Sequence, residues 1–286
     1  MENAKKIYII ISIICVLSIV LGAYAQFFGK RDSKTSDIPT NNTTDENVIE
    51  NPVQPEKEKT MEELKNEFIK TINNSFNVEE KDISKIERIN TEKSIVYIAY
   101  SIQQENKFYD IDLNIPMINI KGNIPKEFNK VTQEVFVKKA NEVRKNNAEK
   151  IIYSIDYVGY LNDNILSIII KSSLKQGNNP QRIIIQTYNY NIETKEKVSL
   201  NNIIEQKNIN VQELQNKIND VLKSVKKEET ILINSGYPVY ERNLESEIYK
   251  IENITNFFLN GEGKLYIVFA YGNQNFTSEF DIVKYE

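Results

Sequence analysis

The sequence predicts an α+β fold: antiparallel sheet with helices packed on one face, preceded by a single transmembrane helix and a disordered linker. Three observations predict it. Period-two apolar runs occur in hairpin-linked groups, amphipathic helical patterns occur singly between those groups, and the first sixty residues divide into an apolar run and a polar stretch.

The apolar run comes first. After a short leader (1–6), residues Ile7 to Ala25 are almost wholly apolar, with Ser12 and Ser18 among the few interruptions. About 19–20 helical residues at 1.5 Å each span roughly 30 Å, the thickness of a hydrocarbon core. Lys5 and Lys6 precede the run and favour a cytoplasmic N-terminus. The expectation is an anchor over 7–25 with everything C-terminal on the extracytoplasmic side. The alternative is a cleaved signal, since Ala23-Tyr24-Ala25 has the small-x-small pattern that precedes a cut, which makes Ala23 and Ala25 a candidate processing site. Residues 26–60 follow, rich in Lys, Asp, Ser, Thr, Asn, Glu and Pro and poor in apolar residues. That composition cannot bury a core and reads as a linker with an average span of about 30 Å.

Thr60-Met61-Glu62-Glu63 is a capping box, and Met61, Leu64, Phe68, Ile72 and Phe76 recur on one helical face. Ile95 to Gln103 and Phe108 to Ile115 read as a hairpin. In the second run Tyr109, Ile111, Leu113 and Ile115 alternate with Asp110, Asp112 and Asn114. Pro125 suits a first helical turn, and Phe128, Val131, Val135, Phe136, Ala140 and Val143 form the stripe of a helix ending near Asn147. Strands are predicted at Ile151–Leu161, Ile165–Leu174 and Arg182–Ile192, with turns at Asn162–Asn164, Gln176–Pro180 and Glu193–Glu196. Asn210 and Glu213 open a helix carrying Val211, Leu214, Ile218, Val221, Leu222 and Val225 on one face. Two last strands are placed at Lys264–Tyr271 and Phe276–Val283. The folded part divides into a subdomain over 61–148 and another over 149–286.

Composition limits the chemistry. The 286 residues include no histidine, no tryptophan and one cysteine, Cys15, which lies in the apolar run. Histidine-based nucleophile systems and histidine metal sites are therefore excluded, as is an intrachain disulfide, and no cofactor or metal is expected. The net charge of −4 comes without a basic stripe, so nucleic acid is not an expected partner. Asp110 and Asp112 stand two apart on one strand, about 7 Å, with Asp156 on another strand; a paired-carboxylate glycosidase needs such spacing in a cleft, whereas a solvated strand face produces the same alternation. The reading adopted is binding rather than catalysis, with no catalytic residue assigned.

Ile115-Pro116-Met117-Ile118, Gly122, the Phe128-Asn129-Lys130-Val131 helix start, the Thr194–Leu200 turn and Phe257-Phe258-Leu259 with Leu265–Phe269 carry a resemblance. Over roughly residues 90–286 the chain resembles the extracytoplasmic region of RsiV-type anti-sigma factors and the N-terminal, non-catalytic part of PdaC-type peptidoglycan deacetylases. That resemblance implies an outward-facing sensing or wall-associated module of a Gram-positive-like cell envelope, with lysozyme or peptidoglycan as partner. The family's Gly-Gly-Ala-His turn is replaced here by Gly177-Asn178-Asn179-Pro180, and its Tyr-x-x-Ala-Pro-Tyr stretch by Tyr271–Phe276. The deacetylase catalytic domain is absent from this sequence, and Met1–Lys6 is too short to hold a sigma factor. Gly177, Asn178 and Asn179, with Tyr271, Gly272 and Asn273, are the candidate ligand-binding residues. The alternatives to a plain binding module are an anti-sigma-like protein released by proteolysis and a carboxylate-dependent wall-glycan enzyme.

Overall fold

A computed structural model describes residues 59–72, 86–271 and 277–285, all within one compact unit, Lys57–Glu286. The expected anchor, the processing site Ala23 and Ala25, and all but the end of the linker lie outside the described residues. So do Phe76, Gly272, Asn273 and Phe276. Among the described residues no helix is long and apolar enough to cross a membrane.

The unit is α+β. Its elements are α1 (Met61–Ile72), β1 (Val96–Glu105), β2 (Tyr109–Ile118), α2 (Asn123–Arg144), β3 (Ile151–Asn162), β4 (Ile165–Gln176), β5 (Arg182–Asn191), β6 (Glu196–Lys197), α3 (Leu200–Gln206) and α4 (Val211–Asn234). Two 3-10 turns (Glu247–Tyr249, Ile251–Asn253), β7 (Phe257–Leu259), β8 (Leu265–Ala270) and β9 (Phe280–Tyr285) complete it. Strands β1 to β6 form one sheet in sequence order, and β7 to β9 form a second. Every pairing is antiparallel except β2 with β3, which run parallel. This corrects the wholly antiparallel expectation. Parallel neighbours need a crossover long enough to return the chain to the starting edge, and the 22-residue α2 supplies it. The pairing joins residues on either side of position 148 in one sheet.

The helices also depart from the one-face expectation, because each sheet has two faces to cover. One face of the large sheet carries Ile111, Leu113, Ile155, Tyr157 and Ile168, buried under Phe128, Phe136, Ala140 and Val143 of α2. Half of the opposite face, through Val158, Ile169 and Ile185, packs on Phe258, Val268, Phe280 and Ile282 of the small sheet and on Phe68 and Ile72 of α1. The far face of the small sheet, with Leu259, Leu265, Ile267 and Val283, is covered by Leu214, Ile218 and Leu222 of α4 and by Leu200 and Ile203 of α3.

Polar residues sit inside two of these contacts and fix them. Asn129 of α2 accepts from the Ile118 amide and donates to the Ile118 carbonyl, both at 2.8 Å, closing the end of β2 with a side-chain amide. Between the sheets, the buried Ser167 hydroxyl donates to Asn189 at 2.7 Å and accepts from the Leu259 amide at 3.1 Å. Asn189 in turn donates to the Phe257 carbonyl at 2.8 Å, and the Thr187 hydroxyl accepts from the Phe257 amide at 3.0 Å. The backbone of β7 thus finds partners in a row of side chains, without which it would be buried unpaired.

Candidate functional site

The small sheet covers only half of the large sheet's second face. The other half, across β1 to β4, carries polar side chains in cross-strand rows that are exposed at Ser101, Gln103 and Asp112 and enclosed at Lys171 and Ser173 of β4, which are 7 % and 5 % exposed. Register places Ser101 opposite Asn114, and Asp156 opposite Lys171. The Ser101 hydroxyl donates to Asn114 Oδ1 at 3.1 Å, and Asn114 Nδ2 lies 3.4 Å from Asp156 Oδ1. The next row runs Gln103, Asp112, Ser154 and Ser173, and Ser173 accepts from Gln181 Nε2 at 2.6 Å. The period of two that buries Ile111 and Leu113 on one side puts Asp110, Asp112 and Asn114 on the other. Asp112 is exposed; Asp110 and Asn114 are half-buried.

The electrostatics of this face centre on the Asp156–Lys171 pair. Burial raises the carboxyl pKa of Asp156; the Asn114 hydrogen bond and the Lys171 charge pull it down in part, while the Asp112 charge raises it further. Burial lowers the Lys171 pKa, and Asp156 partly restores it. Diagonal cross-strand neighbours such as Asp112 and Asp156 stand about 7–8 Å apart. The result is a rigid sheet surface of carboxylate, carboxamide and hydroxyl groups, flanked on β4 by the buried Lys171 ammonium. Among the described residues no group of three or more His, Cys, Asp or Glu side chains is placed to hold a metal ion.

The predicted loop residues lie beside and behind this face. Gly177, Asn178 and Asn179 form the surface turn between β4 and β5, with Asn179 donating to the Gln176 carbonyl at 3.0 Å. Gly177 has φ +52°, its amide donates to the Lys150 carbonyl at 2.8 Å, and a side chain there would collide with the Glu149 carboxylate. Thr277, which follows the 272–276 stretch, ties itself to the exit of that turn: its hydroxyl donates to the Gln181 carbonyl at 2.6 Å and its carbonyl accepts from the Ile183 amide at 3.0 Å. Tyr271 is placed differently. Only 4 % exposed, it donates to Asp281 Oδ2 at 2.7 Å, lies 2.9 Å from the Tyr249 hydroxyl and stacks on Tyr240 with ring centres 4.2 Å apart.

Tyr271 belongs to a buried ionic cluster. Arg242 grips Asp281 with two hydrogen bonds, Nε–Oδ2 at 2.6 Å and Nη2–Oδ1 at 2.8 Å, and reaches Glu279 at 3.0 Å. Glu229 of α4 accepts from the Arg242 amide at 3.2 Å, and Lys65 of α1 lies 3.2 Å from Asp281. Burial opposes the charge on Asp281, but the Arg242 bonds, the Lys65 charge and the Tyr271 hydroxyl together hold its pKa below the ordinary value. Burial and the Asp281 charge push the Tyr271 hydroxyl far up. The cluster therefore pins α1, α4, β9 and the 237–246 segment together.

Lys171 and Arg242 escaped the sequence reading. A lone cation in the apolar stretch Ile165–Leu174 was a visible signal for the first. Arg242 lies in a segment without periodicity, and nothing local marks it.

No family model matches this chain, and no curated protein matches it. Among the solved structures similar to it are two of DUF3298 family proteins. The one from Pseudomonas aeruginosa has a TM-score of 0.37 and 11 % identity, covering 63 % of this chain and 83 % of its own. The one from Bacteroides fragilis has a TM-score of 0.33 and 9 % identity, covering 65 % of this chain and 88 % of its own. At such scores neither likeness assigns a fold or a function.

Proposed function

We propose that this chain is a membrane-anchored, extracytoplasmic binding or sensing module of the RsiV/PdaC-like kind, which takes its ligand on the polar half of the large sheet and the adjoining Gly177–Asn179 turn. The observation that carries the reading is the Ser101–Asn114–Asp156 row, with the buried Lys171 beside Asp156 at its end. It holds donors and acceptors at fixed spacing on β-strands, already oriented before any partner arrives, which lowers the ordering cost of binding. A sheet surface of this chemistry suits an extended, hydroxyl- and amide-bearing polymer, and peptidoglycan glycan has that character. The sequence resemblance adds the outward-facing, wall-associated setting, with lysozyme as the other partner it implies.

The test is retention of the full chain on insoluble peptidoglycan and on immobilised lysozyme, alongside Asn114→Ala and Asp156→Asn. The reading expects retention on peptidoglycan that both substitutions weaken. Retention on lysozyme alone moves the ligand from glycan to protein. No retention on either surface, or retention indifferent to both substitutions, removes the site.

A further inference from the structure

The long helix α4 changes character along its length. Leu214, Ile218, Leu222, Val225 and Glu229 recur every three or four residues on its buried side, and the burial stops at Glu229. The next turn carries Ile231, Leu232 and Ile233, exposed by 65 %, 43 % and 42 %, followed by Tyr237 at 59 %. From Thr230 to Tyr240 the sequence holds no charged residue.

This end is built rather than frayed. The Gly236 amide donates to the Ile233 carbonyl at 2.9 Å and the Tyr237 amide to the Leu232 carbonyl at 3.0 Å, with Gly236 at φ +83°, the left-handed turn that closes a helix C-terminus. Successive helical residues point about 100° apart, so Ile231, Leu232 and Ile233 together span about 200°, more than half of the circumference. A flat protein surface covers one side of a helix. A medium into which the tip is immersed covers them all.

The chain's own sequence says which medium lies near. The apolar run Ile7–Ala25 is joined to the folded unit by a polar stretch whose average span is about 30 Å, comparable with the length of α4 itself, about 36 Å for 24 residues. A tyrosine beside aliphatic residues is also the composition found where protein meets the membrane interface. We infer that the Ile231–Tyr237 tip of α4 is a second membrane contact, dipping end-on into the lipid interface and holding the domain in a fixed orientation on the bilayer. This rests on the anchored, extracytoplasmic reading above.

The protein contains no tryptophan, so Tyr237→Trp creates a single fluorescent reporter at the tip. The full chain carrying it is reconstituted into phosphatidylcholine vesicles, with and without brominated lipid. The expected result is loss of most of the emission to the brominated lipid, recovery of that emission when Ile231, Leu232 and Ile233 are all replaced by Ser, and no quenching of a Phe108→Trp reporter at the β1–β2 turn. Ile231, Leu232 and Ile233 belong to none of the three buried clusters, so their replacement leaves the core packing in place. A chain that floats with the vesicles while the tip reporter stays unquenched overturns the tip contact and leaves the anchor standing. Equal quenching at both reporters also overturns it. Flotation that the triple substitution abolishes supports the tip and refutes the anchor, and absence of flotation altogether refutes both.

Discussion

At the scale of single residues, the strongest constraint is the Arg242–Asp281 pair. Both side chains are almost fully enclosed, at 5 % and 0 % exposure, so removing Arg242 leaves the Asp281 charge buried with only Lys65 and the Tyr271 hydroxyl to balance it. Arg242→Met is expected to cost about 3–5 kcal/mol of unfolding free energy in urea. Breaking the exposed Lys130–Glu134 pair by Lys130→Ala costs under about 1 kcal/mol. The same pair gives a pH signature. Asp281 has its pKa depressed in the fold, so its stabilisation is fully present above the ordinary value of 3.8 and is lost as pH falls through the lower, folded value. Stability measured from neutrality down should therefore fall below about pH 4 in the wild type, and that Asp281 component should be smaller in Arg242→Met, where only Lys65 and Tyr271 still favour the charged form. At Gly177, φ of +52° and the neighbouring Glu149 act together. Gly177→Ala is expected to cost at least about 1–2 kcal/mol, and Glu149→Ala in the same chain should recover only the collision, not the backbone strain. Full recovery would mean that the turn tolerates a side chain.

At the scale of elements, β7 is the informative case. Three residues cannot show a period, and Phe257-Phe258-Leu259 stood out only through the family resemblance, not through any strand pattern. The strand exists because β8 pairs with it on one side and the Ser167, Thr187 and Asn189 side chains supply partners on the other. Asn189→Ala leaves the Phe257 carbonyl unpaired in a buried setting, a loss of about 1–3 kcal/mol. Amide hydrogen exchange at Phe258 and Leu259 should quicken relative to β3 and β4; unchanged protection there would show that the side-chain row is dispensable. The longer elements were legible. The predicted strands at Ile151–Leu161 and Ile165–Leu174 were found at Ile151–Asn162 and Ile165–Gln176, and the helix opened by Asn210 runs from Val211 with Asn210 capping two amides. The short α3 was missed. Its Ser199–Asn202 capping box uses Asn where the usual pattern has Glu or Gln.

At the scale of the whole molecule, the two sheets divide the work. The face-to-face contact of half the large sheet with the small one leaves the rest of that face to polar rows, which run from exposed Ser101, Gln103 and Asp112 to the enclosed Lys171 and Ser173. Asp110 and Asp112 were legible there as residues sharing a strand face. Their neighbours were not: Asn114 meets Asp156 across 42 positions of sequence, and Arg242 meets Asp281 across 39.

The sequence by itself determined the α+β class, most element boundaries and the absence of histidine chemistry, because periodicity, capping and composition act between residues a few positions apart. Only the tertiary structure decided the parallel β2–β3 pairing, the packing of the small sheet on half of the large one, the burial of Tyr271 and the assembly of the Asp156–Lys171 pair. Each of those depends on which distant surfaces find the most apolar area to bury together, a competition settled by the folded whole.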